Sequence, residues 1–285
     1  MPPIPDTFTP PSARLVHWAT ALHKAYFDPV FLGLQQIDLE RPALWVGNHT
    51  LYAMLDTPLL CERLYQEGVM LRALGDRGHL KVALWGQALL KAGMVPGSPE
   101  NCQALMLSGQ HILVFPGGGR EVMRRKGEAY QLIWKQRTGF ARMAIEHGYD
   151  IIPFAALGPD EALDIVADAN DIMASRAWRW LKNKLPLDRM TRGGDMIPPL
   201  VKGLGFTPLP RPERIYFGFG ARIATQHLAG NTDQATLWAL RETIAECVRD
   251  QLCALKKYRA TDRPVYWSRL RRWLSTSTDE LDHVG

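Results

Sequence analysis

The chain has 285 residues, of which 46% are hydrophobic and 22% are charged, and its formal net charge at pH 7 is +5. This composition excludes a disordered chain, and the length suits one large domain or two small ones. The four cysteines are scattered without CxxC or Cys/His ligand spacing, which argues against a disulfide framework and a zinc site. No signal peptide and no run of about 20 uncharged apolar residues is recognisable, so we expect a cytoplasmic protein.

The predicted elements alternate between strands and helices along the chain. A helix over 11–27 with Ser12 as its cap precedes the apolar strand 43–46. Further strands are predicted over 69–74, 112–115, 151–156 and 214–219, and further helices over 55–66, 79–91, 101–108, 137–147 and 232–257. This alternation predicts an α/β fold, with a mostly parallel central sheet flanked by helices and helical N- and C-terminal extensions.

The predicted domain organisation has one α/β domain over 41–225. An N-terminal helical extension (1–40) precedes it, and C-terminal helices with a basic amphipathic tail (226–285) follow it. The segment 194–212 is rich in proline and glycine, as a linker would be, but it is also apolar. We therefore expect it to be a packed loop or a lid over an apolar site.

The first segment with chemical potential is Gly47-Asn48-His49-Thr50, directly after the strand 43–46. Ligands of open α/β sheets bind at the carboxyl ends of strands, and a neutral imidazole there can accept a proton from a substrate hydroxyl near pH 7. Asp56, seven residues on, could accept the other ring N–H of His49. Alternatively, Asp56 caps the next helix and His49 is a hydrogen-bonded loop residue.

The second segment is the glycine run that follows the strand 112–115, Phe115-Pro116-Gly117-Gly118-Gly119-Arg120-Glu121. Glycines permit close approach of the backbone to a ligand, so the N–H groups of this run could stabilise an oxyanion or hold a phosphate. Arg120 adds a forked cationic donor, and Arg124, Arg125 and Lys126 extend the positive field. The nucleotide-binding pattern GxxxxGK[ST] is absent. Alternatively, the run is a structural turn followed by a solvated basic face.

With these two segments the chain resembles the glycerolipid and lysophospholipid acyltransferases, most closely the branch that includes the monoacylglycerol and diacylglycerol acyltransferases. The resemblance runs from about Ala43 to Thr225. Asn48-His49 with 56–60 resembles the first family motif and 115–121 the third. The segments 93–98, 151–154 and 216–223 are similar to the second motif, the fourth motif and the closing strand. In the second, acceptor-side motif the matching residues are Gly93, Gly97 and Ser98.

Two positions depart from the family pattern. Six residues separate His49 from Asp56, where the family usually has four. Gly117 stands where the phosphate-using members have a glutamate before the glycine, although Arg120 is retained. The second departure favours a neutral lipid or lyso-lipid hydroxyl over glycerol 3-phosphate as the acceptor.

The resemblance implies an O-acyltransferase of glycerolipid metabolism and phospholipid biosynthesis. A fatty acyl group would pass from acyl-CoA, or from acyl carrier protein, to a lyso-lipid, a mono- or diacylglycerol or a long-chain alcohol. His49 would be the general base, oriented by Asp56. The oxyanion and phosphate-binding group would comprise Gly117, Gly118, Gly119, Arg120 and Glu121. No metal, further cofactor or covalent intermediate is implied, and the GxSxG pattern of serine hydrolases is absent.

Two alternatives remain open beside this function. The chain could be a non-catalytic lipid-binding relative, in which the wider His49–Asp56 spacing has cost activity. It could also be an acyl-thioester hydrolase that uses the same base on water. The acceptor, the length of the acyl chain and the oligomeric state do not follow from the sequence.

Two basic stretches with tryptophans, 176–192 and 256–272, suggest contact with an anionic membrane surface. Trp267, Arg271 and Trp273 lie in the pattern of a helix at a membrane interface, and the stripe Trp178, Leu181 and Leu185 repeats it less regularly. Alternatively, both stripes pack on the core of the protein itself. We expect a peripheral protein on the inner face of the cell membrane, with no nucleic acid among its partners because no binding motif supports one.

Overall fold

The computed structural model describes residues 8–182, 184–187 and 191–262. Its strands are β1 (Val30–Leu32), β2 (Leu44–Gly47), β3 (Leu71–Gly75), β4 (Val95–Pro96), β5 (His111–Val114), β6 (Ile151–Leu157), β7 (Asp164–Ala167), β8 (Leu200–Lys202) and β9 (Tyr216–Phe219). Its α-helices are α1 (Ala13–Phe27), α2 (Thr57–Gln66), α3 (Ala83–Lys91), α4 (Pro99–Leu107), α5 (Gly118–Val122), α6 (Gly139–His147), α7 (Ala169–Ala174), α8 (Arg176–Lys182) and α9 (Gln234–Thr261). Short 3-10 turns lie at Leu34–Gln36, Leu51–Ala53, Arg77–Lys81 and Gln226–Leu228.

Seven strands form the central sheet in the order β1-β9-β6-β2-β5-β3-β4. The five strands from β6 to β4 are parallel to their neighbours, whereas β9 is antiparallel to β6 and β1 is parallel to β9. The prediction of a mostly parallel sheet is thus confirmed. Because these five strands share a direction, the loops that follow β2, β5, β3 and β4 emerge at one edge of the sheet.

Helices cover both faces of the sheet. Alternate residues of β2 point to opposite faces, so Leu44 and Val46 belong to one apolar cluster and Trp45 to the other. The first cluster includes the buried sides of α4, α6 and α9, and the second those of α1 and α2. On α9, Leu237, Leu240, Ile244, Val248, Leu252 and Leu255 form a buried stripe at helical spacing. The long predicted helix 232–257 is therefore a core helix.

Several predicted elements differ from those observed. The predicted helix 79–91 is divided into the turn Arg77–Lys81 and α3. The strands β1 and β4 and the two-stranded sheet β7–β8 were not predicted. These strands have four residues or fewer, too few for hydrophobic periodicity to register. β1 lies inside the predicted N-terminal extension 1–40 but belongs to the sheet, so the 40/41 boundary is not an edge of the sheet. The domain division otherwise stays a prediction.

The helix ends follow from local hydrogen bonds. Ser12 caps α1 as predicted, since its Oγ accepts from the Leu15 N–H at 3.3 Å. Gly148 ends α6 in the left-handed conformation, at a φ of 62°. Among the described residues no helix is both long and apolar enough to cross a membrane.

Gly47, the last residue of β2, is fixed by close packing against an aromatic ring of β6. A Cβ atom at Gly47 would lie 2.5 Å from the Phe154 ring, closer than real Cβ contacts come. The absence of a side chain at 47 therefore lets Phe154 lie beneath the chain just before it reaches His49.

We expect Gly47→Ala to lower the free energy of unfolding by about 1–3 kcal/mol, the usual cost of overpacking a core. Gly139→Ala is the matched control, because a Cβ there has no neighbour within 4 Å and Gly139 is the first residue of α6. Alanine favours helix, so the control should be neutral or slightly stabilising. Urea unfolding followed by circular dichroism measures both, and equal stability of the two variants would contradict this packing.

Candidate active site

His49 and the glycine run lie side by side at the carboxyl edge of the sheet. β2 and β5 are adjacent and parallel, with Val46 paired to Val114, so the loops that follow them leave the sheet together. The rings of His49 and Phe115 are stacked, with centroids 3.9 Å apart and planes inclined by 2°. Phe115 in turn contacts the Phe154 ring edge-on at 5.9 Å. The structure therefore brings the two sequence motifs into direct contact.

Asn48 fixes the chain immediately before the imidazole. Its side chain is fully buried and pairs with the backbone of Ala156 on β6, donating from Nδ2 to the carbonyl at 3.0 Å and accepting from the N–H at Oδ1 at 2.8 Å. The amide thus replaces a backbone group and extends the β2–β6 pairing by one step beyond Gly47. The sequence analysis identified Asn48 only as part of the motif and did not predict this structural role.

A buried ion pair holds the loop at His49 and directly after it. Arg124 Nη2 donates to the His49 carbonyl at 2.6 Å, while Arg124 Nε lies 3.1 Å from Asp160 Oδ2. Asp160 Oδ1 accepts from the Leu51 N–H at 2.8 Å, and its Oδ2 accepts from the Tyr130 N–H at 2.9 Å. The His49 loop is therefore clamped by charges that come from two other loops.

The His49 ring is partly buried and its Nδ1 has no hydrogen-bond partner among the described residues. Burial, together with the positive charge of Arg124 and a contribution from His79, lowers the pKa of His49 to about 3. The imidazole is therefore neutral at pH 7. One ring nitrogen is thus unprotonated, as in a general base, although a pKa this far below 7 makes the imidazole a weak base in this conformation.

Asp56 does not orient His49 in this conformation. Its carboxylate is buried at the start of α2 and accepts from the Thr57 N–H at 2.8 Å, so it caps that helix. Burial raises the pKa of Asp56 to about 6. No hydrogen bond joins the two side chains here, and the orienting role of Asp56 stays a prediction.

The glycine run forms a tight turn that leads into α5. Gly118 has a φ of 51° and its N–H donates to the Phe115 carbonyl at 3.0 Å, so this one N–H of the run is already used. Arg137 closes the turn from outside, since its Nη1 donates to the carbonyls of Pro116 and Gly117 at 2.8 and 2.7 Å. The N–H groups of Gly117 and Gly119 remain the predicted donors to an oxyanion.

Glu121 is completely buried under the same turn. A Cβ atom at Gly117 would overlap its carboxyl group, so Glu121 fills the space that a side chain at position 117 would take. This packing gives a physical reason for the glycine where other members of the resembled family have a glutamate. Burial raises the pKa of Glu121 to about 8, against the opposing effect of Arg124, whose Nη2 lies 3.9 Å from Glu121 Oε1. Glu121 is therefore protonated and neutral at pH 7.

Arg120 is not a free cation in this structure. Its guanidinium is buried and forms a two-pronged pair with Glu128, with Nη1–Oε2 at 2.9 Å and Nη2–Oε1 at 2.5 Å. Arg120 Nε also lies 3.5 Å from Asp195 Oδ1. Holding a phosphate, the role predicted for Arg120, would require this pair to open, and that role stays a prediction.

The predicted positive field beyond Arg120 is partly internal. Arg124 is buried and paired with Asp160, whereas Lys126 is exposed and lies 2.8 Å from Asp171 at the surface. Arg125 contributes its backbone N–H to Glu128 Oε2 at 2.7 Å. Arg124 therefore stabilises the site from inside the protein, and only Lys126 fits the alternative interpretation of a solvated basic face.

The acceptor-side residues lie farther along the same edge. Gly97 follows β4, three strands from β2, which corresponds to about 14 Å across the sheet. The Gly93 carbonyl accepts from Arg72 Nε at 3.0 Å, the Gly97 N–H donates to Gly75 at 2.8 Å, and Ser98 caps α4. These contacts explain the three residues structurally. Their acceptor-side role stays a prediction.

The segment 194–212 packs against the site, as expected. Tyr52, in the loop after His49, donates from its hydroxyl to the Pro199 carbonyl, and a Cβ at Gly119 would lie 2.5 Å from Met196 Sδ. Tyr52 and Ala53 both have positive φ angles, 60° and 54°, which side-chain-bearing residues rarely adopt. The six-residue spacer between His49 and Asp56 is thus a strained turn held by the covering segment.

Among the described residues, no group of histidine, cysteine and acidic side chains is arranged to hold a metal ion, and Cys61, Cys102, Cys247 and Cys253 are free. The predicted membrane residues Trp267, Arg271 and Trp273 lie outside the described residues.

Comparison with known proteins bears directly on these motifs. Residues 28–156 match the family model named Acyltransferase. Phytyl ester synthase 2 of Arabidopsis thaliana is 30% identical over 213 residues, which cover 69% of this chain and 29% of that protein. The bovine (Bos taurus) protein named DGAT1/2-independent enzyme synthesizing storage lipids is 26% identical over 58% of this chain and 51% of its own length.

The chain therefore spans well under two thirds of these two relatives. Among solved structures, the 1-acyl-sn-glycerophosphate (LPA) acyltransferase of Thermotoga maritima superimposes with a TM-score of 0.49 at 14% identity, over 86% of this chain and 79% of that one. The motif resemblance is confirmed by the family match, which includes both His49 and the glycine run. Residues 28–156, a little under half of the chain, thus correspond to the acyltransferase family.

Proposed function

We propose that the protein transfers a fatty acyl group from acyl-CoA to a lipid hydroxyl, with His49 as the general base. The observation that carries this proposal is the stacking of the neutral His49 imidazole on Phe115, directly beside the glycine turn. The relatives support the substrate class, since their names refer to phytyl esters and storage lipids. The acceptor would be a lyso-lipid, a mono- or diacylglycerol or a long-chain alcohol.

In the proposed reaction the acceptor oxygen attacks the thioester carbonyl while an unprotonated nitrogen of His49 takes the hydroxyl proton. The C–O bond forms first and converts the carbonyl to a tetrahedral oxyanion. Collapse of this oxyanion breaks the C–S bond, and the proton held by His49 passes to the leaving thiolate. The N–H groups of Gly117 and Gly119 would stabilise the oxyanion. Neutral Glu121 beneath the turn adds no negative charge there at pH 7, so it does not oppose that stabilisation.

The proposal includes contact with an anionic membrane surface, because a lipid acceptor lies in a bilayer. A position on the inner face of the cell membrane, and a part for Trp267, Arg271 and Trp273 in reaching it, belong to the same proposal. The acyl donor in this function is acyl-CoA or, alternatively, acyl carrier protein. The activity assay must distinguish these two donors.

We expect His49→Gln to lower acceptor-dependent thiol release from palmitoyl-CoA by about 100- to 10,000-fold, the contribution of a positioned general base. Purified protein is assayed with and without monoacylglycerol, diacylglycerol, lysophospholipid and long-chain alcohol acceptors. His227→Gln is the matched control, because His227 is exposed in the turn Gln226–Leu228, and it should retain full activity.

The same assay separates the alternatives. Thiol release that is independent of any acceptor would favour the hydrolase. Lipid binding without thiol release, from both palmitoyl-CoA and palmitoyl-acyl carrier protein, would favour the non-catalytic relative. Full activity of His49→Gln would exclude His49 as the base.

The low pKa of His49 predicts an unusual dependence of the rate on pH. A base with the ordinary histidine pKa of 6.5 would lose about tenfold of its rate by pH 5.5, whereas His49 stays neutral there. We expect kcat/KM of Asp56→Asn to be constant from pH 7 to pH 5.5. The Asp56→Asn background removes the carboxyl whose pKa of about 6 would overlap this range. An inflection near 6.5 in that background would contradict the burial of His49.

The raised pKa of Glu121 predicts a loss of stability as the pH rises. In the unfolded chain this carboxyl ionises near its ordinary value of 4.5, but in the folded chain it keeps its proton to about pH 8. The folded state therefore binds more protons across this window, and the free energy of unfolding falls with increasing pH.

We expect the wild type to lose about 1.6 kcal/mol relative to Glu121→Gln between pH 6.5 and 8, because the slope of about 1.4 kcal/mol per pH unit diminishes as the folded pKa is approached. His49 titrates alike in the two proteins, so its contribution cancels in the difference. Urea unfolding of both proteins at the two pH values gives the difference. An unchanged difference would mean that Glu121 is ionised in the folded protein.

A further inference from the structure

We propose that α8 and the outer side of segment 200–209 form a docking face for an anionic phospholipid bilayer. The docking face comprises Arg176, Arg179, Trp180, Lys184, Leu185, Leu200, Phe206 and Leu209. The inference rests on the proposed function for its lipid substrate, but the docking itself is measured without any reaction.

The docking face exposes several large apolar side chains. Phe206, in the loop after β8, is 98% exposed, and Leu209 and Trp180 are 60% and 59% exposed. Leu200 lies on β8, which pairs with β7, while α7 contacts both β7 and α8. The exposed residues thus belong to consecutive, touching elements. Large apolar groups grouped in this way mark a surface that another apolar phase covers.

The charges of the docking face favour a bilayer of negative charge. Residues 175–187 contain no acidic residue, while Arg176, Arg179 and Lys184 are exposed. Lys184 Nζ lies 3.9 Å from the centre of the Trp180 ring, so cation and aromatic ring are presented together. Basic residues contribute to binding at an anionic leaflet, and tryptophan favours the interface itself.

The observations favour a bilayer over an acidic protein or nucleic acid. Ionic partners would match the arginines but would leave Phe206, at 98% exposure, in water. The exposed side of α9 differs, since it carries Glu246 and Asp250 beside Arg249. α8 thus differs from α9 in having no carboxylate, a property that it shares with α1 and α3.

The docking face also lies close to the candidate site. The chain that leads into it makes the contacts that cover the site: Asp195 with Arg120, Met196 with Gly119, and Pro199 with Tyr52. Leu200 follows Pro199 directly and faces outward. A bilayer on the docking face would thus be separated from the glycine turn by a single chain segment, which would give a lipid hydroxyl a short path to His49.

The test is co-sedimentation of the full chain with phosphatidylcholine vesicles, with and without phosphatidylglycerol. We expect Arg176→Gln/Arg179→Gln/Lys184→Gln to weaken binding to the anionic vesicles about 100-fold, from about 1 kcal/mol for each basic residue. Phe206→Ser should weaken binding to the anionic vesicles by about tenfold or more, because a buried aromatic ring is lost from the interface.

The matched control is Lys91→Gln/Arg142→Gln/Arg249→Gln, which removes the same number of exposed positive charges from α3, α6 and α9. It should bind as the wild type does. Thermal unfolding verifies that each variant is folded. Equal binding by the docking-face variants and the control would overturn the proposal.

Activity measurements keep this proposal separate from the proposed function. With acceptor in detergent micelles the docking-face variants should match the wild type, and on anionic vesicles they should be slower. A different outcome is that the wild type transfers no acyl group in either format while the docking-face variants still lose vesicle binding. That result would support the docking face and reject the proposed function. Unchanged vesicle binding, with loss of activity only when acyl carrier protein is the donor, would assign the face to that acidic protein and overturn the proposal.

Discussion

The buried ion pair between Arg124 and Asp160 is the interaction on which the site depends. It joins the loop after β2 to the chain that follows α5 and to the loop after β6, three segments that are distant in sequence. Removing one partner of a buried pair costs about 3–5 kcal/mol, because the other charge is left in a medium of low polarity. Here such a loss would also release the carbonyl of His49 and the N–H of Leu51. The protein would then lose stability, and the imidazole would lose its fixed position.

Burial gives the site its chemical character by acting in opposite directions on two neighbouring groups. It lowers the pKa of His49 and raises the pKa of Glu121, so that both are neutral at pH 7. The nearest guanidinium, Arg124, is already balanced by Asp160. A site of low net charge suits a reaction between a neutral hydroxyl and a neutral thioester. In such a site, hydrogen-bond donors aimed at a developing oxyanion act with little competition from fixed charges.

The sequence predicts those parts of the site that are local in the chain. His49 and the glycine run were placed correctly because each follows a short apolar strand, and parallel strands align their carboxyl ends. The partners of Arg120 and Arg124 were not predicted. Glu128 lies eight residues from Arg120, which is not the three- or four-residue spacing of a helical pair. Asp195 and Asp160 lie 75 and 36 residues from Arg120 and Arg124, and no spacing rule connects them. From the sequence, Arg120 was therefore interpreted as a free cation. The strain at Tyr52 and Ala53 was hidden for the same reason, since the partner of Tyr52 is Pro199.

The pairing of Asn48 with Ala156 limits which residues position 48 can accept. The side chain must donate to a carbonyl and accept from an N–H of the same residue, and an uncharged primary amide does both. Aspartate has the same shape but, when ionised, offers only acceptors, and it would face the Ala156 carbonyl with an unfavourable charge. Glutamine has the right groups on a longer stem. The identity of the residue before the imidazole is thus set by the strand beside it, and a single nucleotide change to aspartate would be rejected by the fold before it could affect catalysis.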